Sequence, residues 1–181
     1  MKHTVSEREV AGLTWDRVKA RLQAGATAIL PIGAGAKEHG LHMPMATDQI
    51  FAEYFSRALA ERIDALIWPA LTYGFYPAFT AYAGSVSLSR KVFAVTVREV
   101  ADALLAFGAI RVLVLDTGLS TIEPVEAAIG VSRDPSRVTS RCLPDRASKA
   151  LCERSGSSLM AAMPTRWRPR SCWRLRRILS T

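Results

Sequence analysis

From residue 14 to about residue 130 the chain alternates short apolar runs with longer stretches of helical texture. "SERE", Ser6 to Glu9, fits a capping box, and "TWDRVKARLQAG" reads as a helix beginning near Thr14 and closing at Gly25. "TAIL" reads as a buried strand that Pro31 and Gly33 break. The loop they open ends at Thr47 or Asp48, either of which can cap a helix running through Ile63. That helix stacks Phe51, Tyr54, Phe55 and Ala58 on one side. "ALIWPAL" is a second short strand, followed by "TYGFYPAFTAYAGSVSLS", a loop rich in Gly, Tyr and Phe and long enough to suggest function. Ser89 can cap the next helix. There Phe93, Val97, Val100, Ala101 and Leu104 recur at helical spacing while Arg90, Lys91, Arg98 and Asp102 face away. "IRVLVLD" is a third strand.

Such alternation predicts a layered α/β domain built on a mostly parallel sheet. Ligands in these folds gather at the carboxyl ends of the strands. The loop after Ile32, the aromatic loop after Leu71 and the turn after Asp116 all belong to that edge.

The 181 residues suit one domain. No apolar run approaches the roughly 20 residues that span a bilayer, and "MKHTVSEREVAG" lacks the apolar core of a secretory signal. The expectation is a soluble, cytoplasmic protein with no membrane contact. The net charge of +8 is not spread evenly. Residues 1 to 131 hold 12 Lys+Arg against 13 Asp+Glu, or −1; residues 132 to 181 hold 12 against 3, or +9. The chain therefore divides into an α/β domain over residues 1 to 131 and a basic, Arg/Ser-rich tail over residues 132 to 181. Cys142, Cys152 and Cys172 all fall in the tail, with no CxxC spacing to suggest a metal knuckle.

The candidate chemistry lies in "ILPIGAGAKEHGLHMPMATDQI". Glu38, His39, His42 and Asp48 offer two imidazoles and two carboxylates, the ligand types that Zn²⁺ or Mn²⁺ takes at hydrolytic sites. Each alone has an ordinary role: the histidines as turn residues, Glu38 solvated, Asp48 a helix cap. Four within eleven positions, with two of the chain's three histidines among them, favour a site. His3, near the chain start, receives no role.

"LPIGAGAKEHGLHMPMATDQIFAE" resembles the entry motif of the creatininase (creatinine amidohydrolase) family, P-x-G-x-x-E-Q-H-G-x-H-x-P-x-x-T-D. "PALTYGFYPAFTAYAGSVSLS" is similar to that family's P-x-x-Y-G and P-G-T-x-S-L segments, and the likeness runs over roughly residues 26 to 130. The resemblance implies a three-layer α/β/α metal-dependent hydrolase of cyclic or linear amides with two divalent ions. It implies His39 as a ligand, Asp48 as the bridging aspartate, Glu38 as a further ligand and His42 as the residue positioning substrate or water. It also implies a small-molecule amide substrate and a homo-oligomer, commonly a hexamer.

Two positions depart from the pattern. The family's glutamate stands two places before the ligand histidine, where this chain has Lys37, so Glu38 as a ligand requires a local loop shift; "KEHG" resembles a variant branch. Where the family has N-G-H-G-G-N after the third strand, this chain has "DTGLST", Asp116 to Thr121, with no histidine. Asp116 is then either an oxygen ligand or a turn cap, and the cap is favoured. One ion, or none, is an alternative to two.

The tail admits three readings. A basic arm could bind nucleic acid or an acidic partner, with Trp167 and Trp173 for base stacking; the end could be disordered; or it could be out of frame. The family carries a downstream segment like G-G-H-A-D-E-x-E-T-S-x-M-L-A. Shifting the codons of residues 160 to 174 by one base forces Gly at Met160/Ala161, Ala at Met163/Pro164 and Leu at Cys172/Trp173, and all three match. The chain thus reads as a creatininase-like amidohydrolase whose C-terminal part is shifted and its fold incomplete there. The alternative is a pseudoenzyme or a binding protein with a basic tail, and nucleic acid ranks well below the amide as a ligand.

Overall fold

Among the described residues, four apolar runs become strands of one parallel sheet. In the computed structural model, which describes residues 7 to 142, these are β1 (Thr27–Ile32), β2 (Ala65–Ile67), β3 (Val112–Asp116) and β4 (Val138–Cys142). Their order is β2-β1-β3-β4, and all three pairings are parallel. The register places Ile29 beside Ile67, Ile32 beside Asp116 and Asp116 beside Cys142. The helices are α1 (Trp15–Gln23), α2 (Thr47–Ala60), α3 (Arg90–Ala106) and α4 (Ile122–Gly130).

Side chains alternate across a strand, so each strand feeds two cores. Ala28, Leu30 and Ile32 of β1 join Val112 and Val114 of β3 in the larger one. Leu22 of α1, Phe93, Val97, Ala101 and Leu104 of α3, and Val125 and Ala128 of α4 close it. Ile29 and Leu115 point the other way, to Ala60, Phe55 and Leu59 of α2. The result is the expected three-layer α/β/α arrangement, with α2 alone on one face.

The chain winds from β1 through α2 to β2, then returns past β1 to β3 and on to β4. Winding reverses between β1 and β3, and the crevice at their carboxyl ends is where such sheets bind ligands.

Several boundaries differ from expectation. Pro31 does not break β1 but lies inside it, opposite Leu115. Its carbonyl accepts from the Leu71 amide at 2.9 Å, and its missing donor points the same way, beyond the end of β2. Helix α2 ends at Ala60 rather than Ile63, because the Arg62 and Ile63 amides both turn back to the Leu59 carbonyl. Ser89 caps α3 as expected, accepting from the Val92 amide. Asp102 does not simply face solvent: it accepts from the Ser132 hydroxyl at 2.7 Å and the Arg133 amide at 2.9 Å, tying α3 to the turn after α4. The expected domain end at residue 131 falls short of β4, which pairs with β3 over five residues. Ser6 of the expected capping box lies outside the described residues. Glu9 of that box pairs with Arg57 of α2 at 2.5 Å. No helix among the described residues is long and apolar enough to cross a membrane.

Helix α2 approaches the end of β1 closely because Gly33 has no side chain. A Cβ there would overlap the Asp48 carbonyl and stand 2.9 Å from the Ala52 Cβ. Backbone cannot yield as a flexible side chain can. Gly33→Ala is expected to cost about 1–3 kcal/mol in urea unfolding. Gly130→Ala, which meets nothing within 4 Å, is expected to be neutral or to gain up to about 1 kcal/mol. Equal behaviour of the two variants would contradict the close packing.

Candidate functional site

The loop between β1 and α2 is held by backbone bonds to its surroundings. The Lys37 amide donates to the Met45 carbonyl, the Gln49 amide to the Ala34 carbonyl, and the Glu38 amide to the Ser85 hydroxyl at 2.9 Å. The Val86 amide donates to Ala36, and Gly35 donates to Thr72, so the aromatic loop lies along the histidine loop. Thr117, just past β3, donates its hydroxyl to the Ile32 and Asp48 carbonyls, each at 3.1 Å. Three chain segments therefore meet at the β1/β3 crevice.

Asp48 is not the cap of α2. Ala46 precedes the helix, Thr47 donates to the Pro44 carbonyl at 2.7 Å, and Asp48 stands in the first turn with its carboxylate turned inward. That position suits a negative charge, because the helix N-terminus carries a partial positive one. Asp48 Oδ1 is 3.6 Å from His39 Nε2, and Asp48 Oδ2 is 2.6 Å from Lys37 Nζ. Oδ2 nevertheless has no hydrogen-bond partner: the ammonium is close but off the bonding direction, so the contact is a charge pair. Burial lowers the pKa of the His39 imidazole, against the opposing pull of the Asp48 carboxylate, and the ring is held neutral.

Asp116 ends β3 beside Ile32 and is almost wholly buried. Its Oδ1 accepts from the Gly118 amide and the Thr121 hydroxyl, both at 2.9 Å, which is the turn cap the sequence suggests. Its Oδ2 has no hydrogen-bond partner. Burial pushes the carboxyl pKa up to about 6, against those two hydrogen bonds. Tyr76 is buried nearby; burial, then the charges of Asp116 and Asp48, raise its phenol pKa and keep it protonated.

Of the residues expected at the site, the fold brings together His39 and Asp48. Glu38 instead accepts the Gly40 amide on its own carboxylate, closing a turn in which Gly40 takes a φ of 80°. His42 is exposed, with its ring against Gly40. Sequence reasoning offered Tyr76 as a possible lining residue but did not place Lys37 here. Lys37 was visible only as a departure from the motif. The aromatic loop, whose Tyr73, Phe75, Tyr76, Phe79 and Tyr82 could by sequence line a pocket or pack a core, divides: Phe75 packs on the core, Tyr73 and Tyr82 are exposed, and Tyr76 and Phe79 turn their rings to Lys37.

His39, Asp48 and Asp116 are the donors that the crevice could offer a divalent ion. His39 Nε2, Asp48 Oδ2 and Asp116 Oδ2 are three of the four buried side-chain polar atoms that lack a hydrogen-bond partner among the described residues. Buried polar atoms rarely stay unpaired without a reason. Against a pair of ions, Asp48 has one oxygen beside His39 and the other against an ammonium. No group of three or more His, Cys, Asp or Glu among the described residues is arranged to hold a metal.

Fold and site together define a doubly wound α/β domain with an imidazole, two carboxylates and an ammonium at its switch point. The chain belongs to the creatininase family: the family model described as creatinine amidohydrolase matches residues 11–161. The creatinine amidohydrolase of Pseudomonas putida is 30% identical over 130 residues, covering 66% of this chain and 50% of that protein. A structure named "Creatininase Mn" superposes with a TM-score of 0.72 at 24% identity, over 83% of this chain and 65% of its own. A creatininase mutant with one tryptophan replaced by phenylalanine gives 0.74 at 24% identity, over 91% and 75%. The chain thus spans about half the length of the curated relative it matches.

Thr121 is fully buried at the start of α4 and its hydroxyl serves Asp116. Thr121→Val keeps the shape and removes that donor, so it is expected to cost about 1–3 kcal/mol in chemical denaturation. A variant as stable as the parent would show that Asp116 does not depend on this bond.

Proposed function

We propose that the chain carries a hydrolytic site for the C–N bond of a small cyclic or linear amide, assisted by a divalent ion. The observation that carries this reading is the buried pair of His39 and Asp48, 3.6 Å apart at the β1/β3 switch point. The relative named creatinine amidohydrolase, and a solved glutamate-to-glutamine creatininase mutant complexed with creatine at 25% identity, support the amide class.

Hydrolysis joins the oxygen of water to the carbonyl carbon, breaks the C–N bond and delivers a proton to the leaving nitrogen. His39 and Asp48 would hold the ion, Zn²⁺ or Mn²⁺, with Asp116 Oδ2 facing the same crevice. A divalent ion there supplies the acidity that makes water a nucleophile near neutral pH. Asp116, with its carboxyl near 6, can hold a proton at Oδ2 and release it to the departing nitrogen. His42, exposed on the loop, is assigned to meeting substrate. Glu38 would join the ion only by leaving the Gly40 amide.

The test is amide hydrolysis by the whole chain over a panel of cyclic and linear amides, creatinine included. Turnover should vanish on chelation, return with Zn²⁺ or Mn²⁺, and fall more than about 100-fold in Asp48→Asn. Hydrolysis indifferent to both chelation and that substitution would overturn the reading.

The tail bears on the same question. Residues 143 to 181, with the three forced codon matches, lie outside the described residues. The proposed frame shift lies upstream of Met160, within residues 131 to 159, and the pairing of β4 with β3 supports an entry after Cys142. Sequencing the gene across those codons should reveal one base gained or lost, with the corrected frame reading G-G-H-A-D-E. Unchanged bases would remove the proposal.

A further inference from the structure

Lys37 has no part in the reading above, yet it is the most tightly enclosed cation among the site's residues. Its side chain is 12% exposed and that of Asp48 11%. The ammonium lies 4.7 Å from the centre of the Phe79 ring and 5.4 Å from that of Tyr76, on faces that attract positive charge. Asp116 also feels its charge. The Lys37 backbone is fixed by the Met45 carbonyl, and the residues on either side are tied to Val86 and Ser85. A lysine so held is part of the site's architecture rather than a solvated side chain folded over it.

Charge balance decides what else can enter. The carboxyls of Asp48 and Asp116 and the ammonium of Lys37 lie together in a crevice where the Lys37, His39 and Asp48 side chains are each about nine-tenths buried. Each divalent ion added there brings two further positive charges beside that ammonium, in a crevice largely closed to water. An aspartate that bridges two ions through both oxygens would give one of them to the second ion, and Asp48 Oδ2 already faces Nζ at 2.6 Å. An ammonium and a divalent ion on the same oxygen repel strongly at any dielectric constant a protein offers.

We infer that the Lys37 ammonium is the second cation of this site, so that the centre takes one divalent ion and not two. The inference rests on the hydrolase reading for the first ion and concerns only what stands beside it. At an amide carbonyl, the positive charge that a second ion would provide is provided by an N–H donor on Nζ. That donor is compact and fixed by its aromatic walls.

The test counts metal rather than turnover. The full chain is stripped with chelator, reloaded with excess Zn²⁺ or Mn²⁺, desalted and analysed for metal per chain, alongside Lys37→Glu and Lys37→Met. The parent should hold one ion. Lys37→Glu, which puts a carboxylate where the ammonium was, should hold two. Lys37→Met, a neutral side chain that can stay among the rings, should hold one ion at least about tenfold more tightly, because the repulsion is gone. Two ions in the parent would overturn the inference while leaving the metal site intact. So would Lys37→Met with unchanged affinity, a result that does not depend on Lys37→Glu folding. No metal in the parent or either variant would overturn both the inference and the metal part of the hydrolase reading.

Discussion

The contact between Lys37 and Asp48 constrains everything around it. Each group loses most of its water, and a nearly buried ion pair returns that cost only when its geometry is held and its surroundings add further support. The support is visible on every side. Gly33 lets α2 come within contact of β1, Thr117 ties the Asp48 carbonyl to the end of β3, and the aromatic loop lays Tyr76 and Phe79 against the ammonium. Losing any one of these would loosen the geometry that holds the pair.

The same contact explains why the cluster forms at this place in the sheet. Reversal of the winding between β1 and β3 sends α2 to one face and α3 and α4 to the other, so that none of the described helices covers the carboxyl ends of these two strands. The register sets Ile32 beside Asp116, so the loop after β1 and the turn after β3 begin side by side. Asp116 must then be buried against that loop. One oxygen closes its own turn and the other is left facing the crevice, so the residue is at once a cap and an unsatisfied acceptor. The sequence-level choice between cap and ligand dissolves, because a carboxylate has two oxygens and the fold uses them differently.

Much of this could be read from local pattern. The stripe from Phe93 to Leu104 with Ser89 before it marks α3, and Gly25, with φ of 96°, closes the turn after α1. Features set by distant contacts could not. Pro31 reads as a breaker, yet survives in β1 because its lost amide points past the end of β2. Asp48 has the identity and place of a cap, but Lys37 and the buried crevice draw its carboxylate inward. β4 hides in a stretch with basic texture, since Val138–Cys142 is a strand only when β3 is there to pair with it. His39 and Asp48, which the fold sets 3.6 Å apart, were legible as candidates because the motif names them. Lys37 was legible only as a mismatch, and its partners, Tyr76 and Phe79, lie about 40 residues away in the sequence.

A mismatch to a motif is usually taken as lost function, on the reasoning that a missing ligand leaves an empty place. The physical question is different: what charge now fills the place, and whether its neighbours accept it. Replacing a carboxylate by an ammonium changes the local charge by two units, and a fold unprepared for that change would expel the side chain to solvent. Here the ammonium stays inside, on a carboxylate and over two aromatic faces. In this chain the place is filled by a cation of its own, held by Asp48 and the two rings.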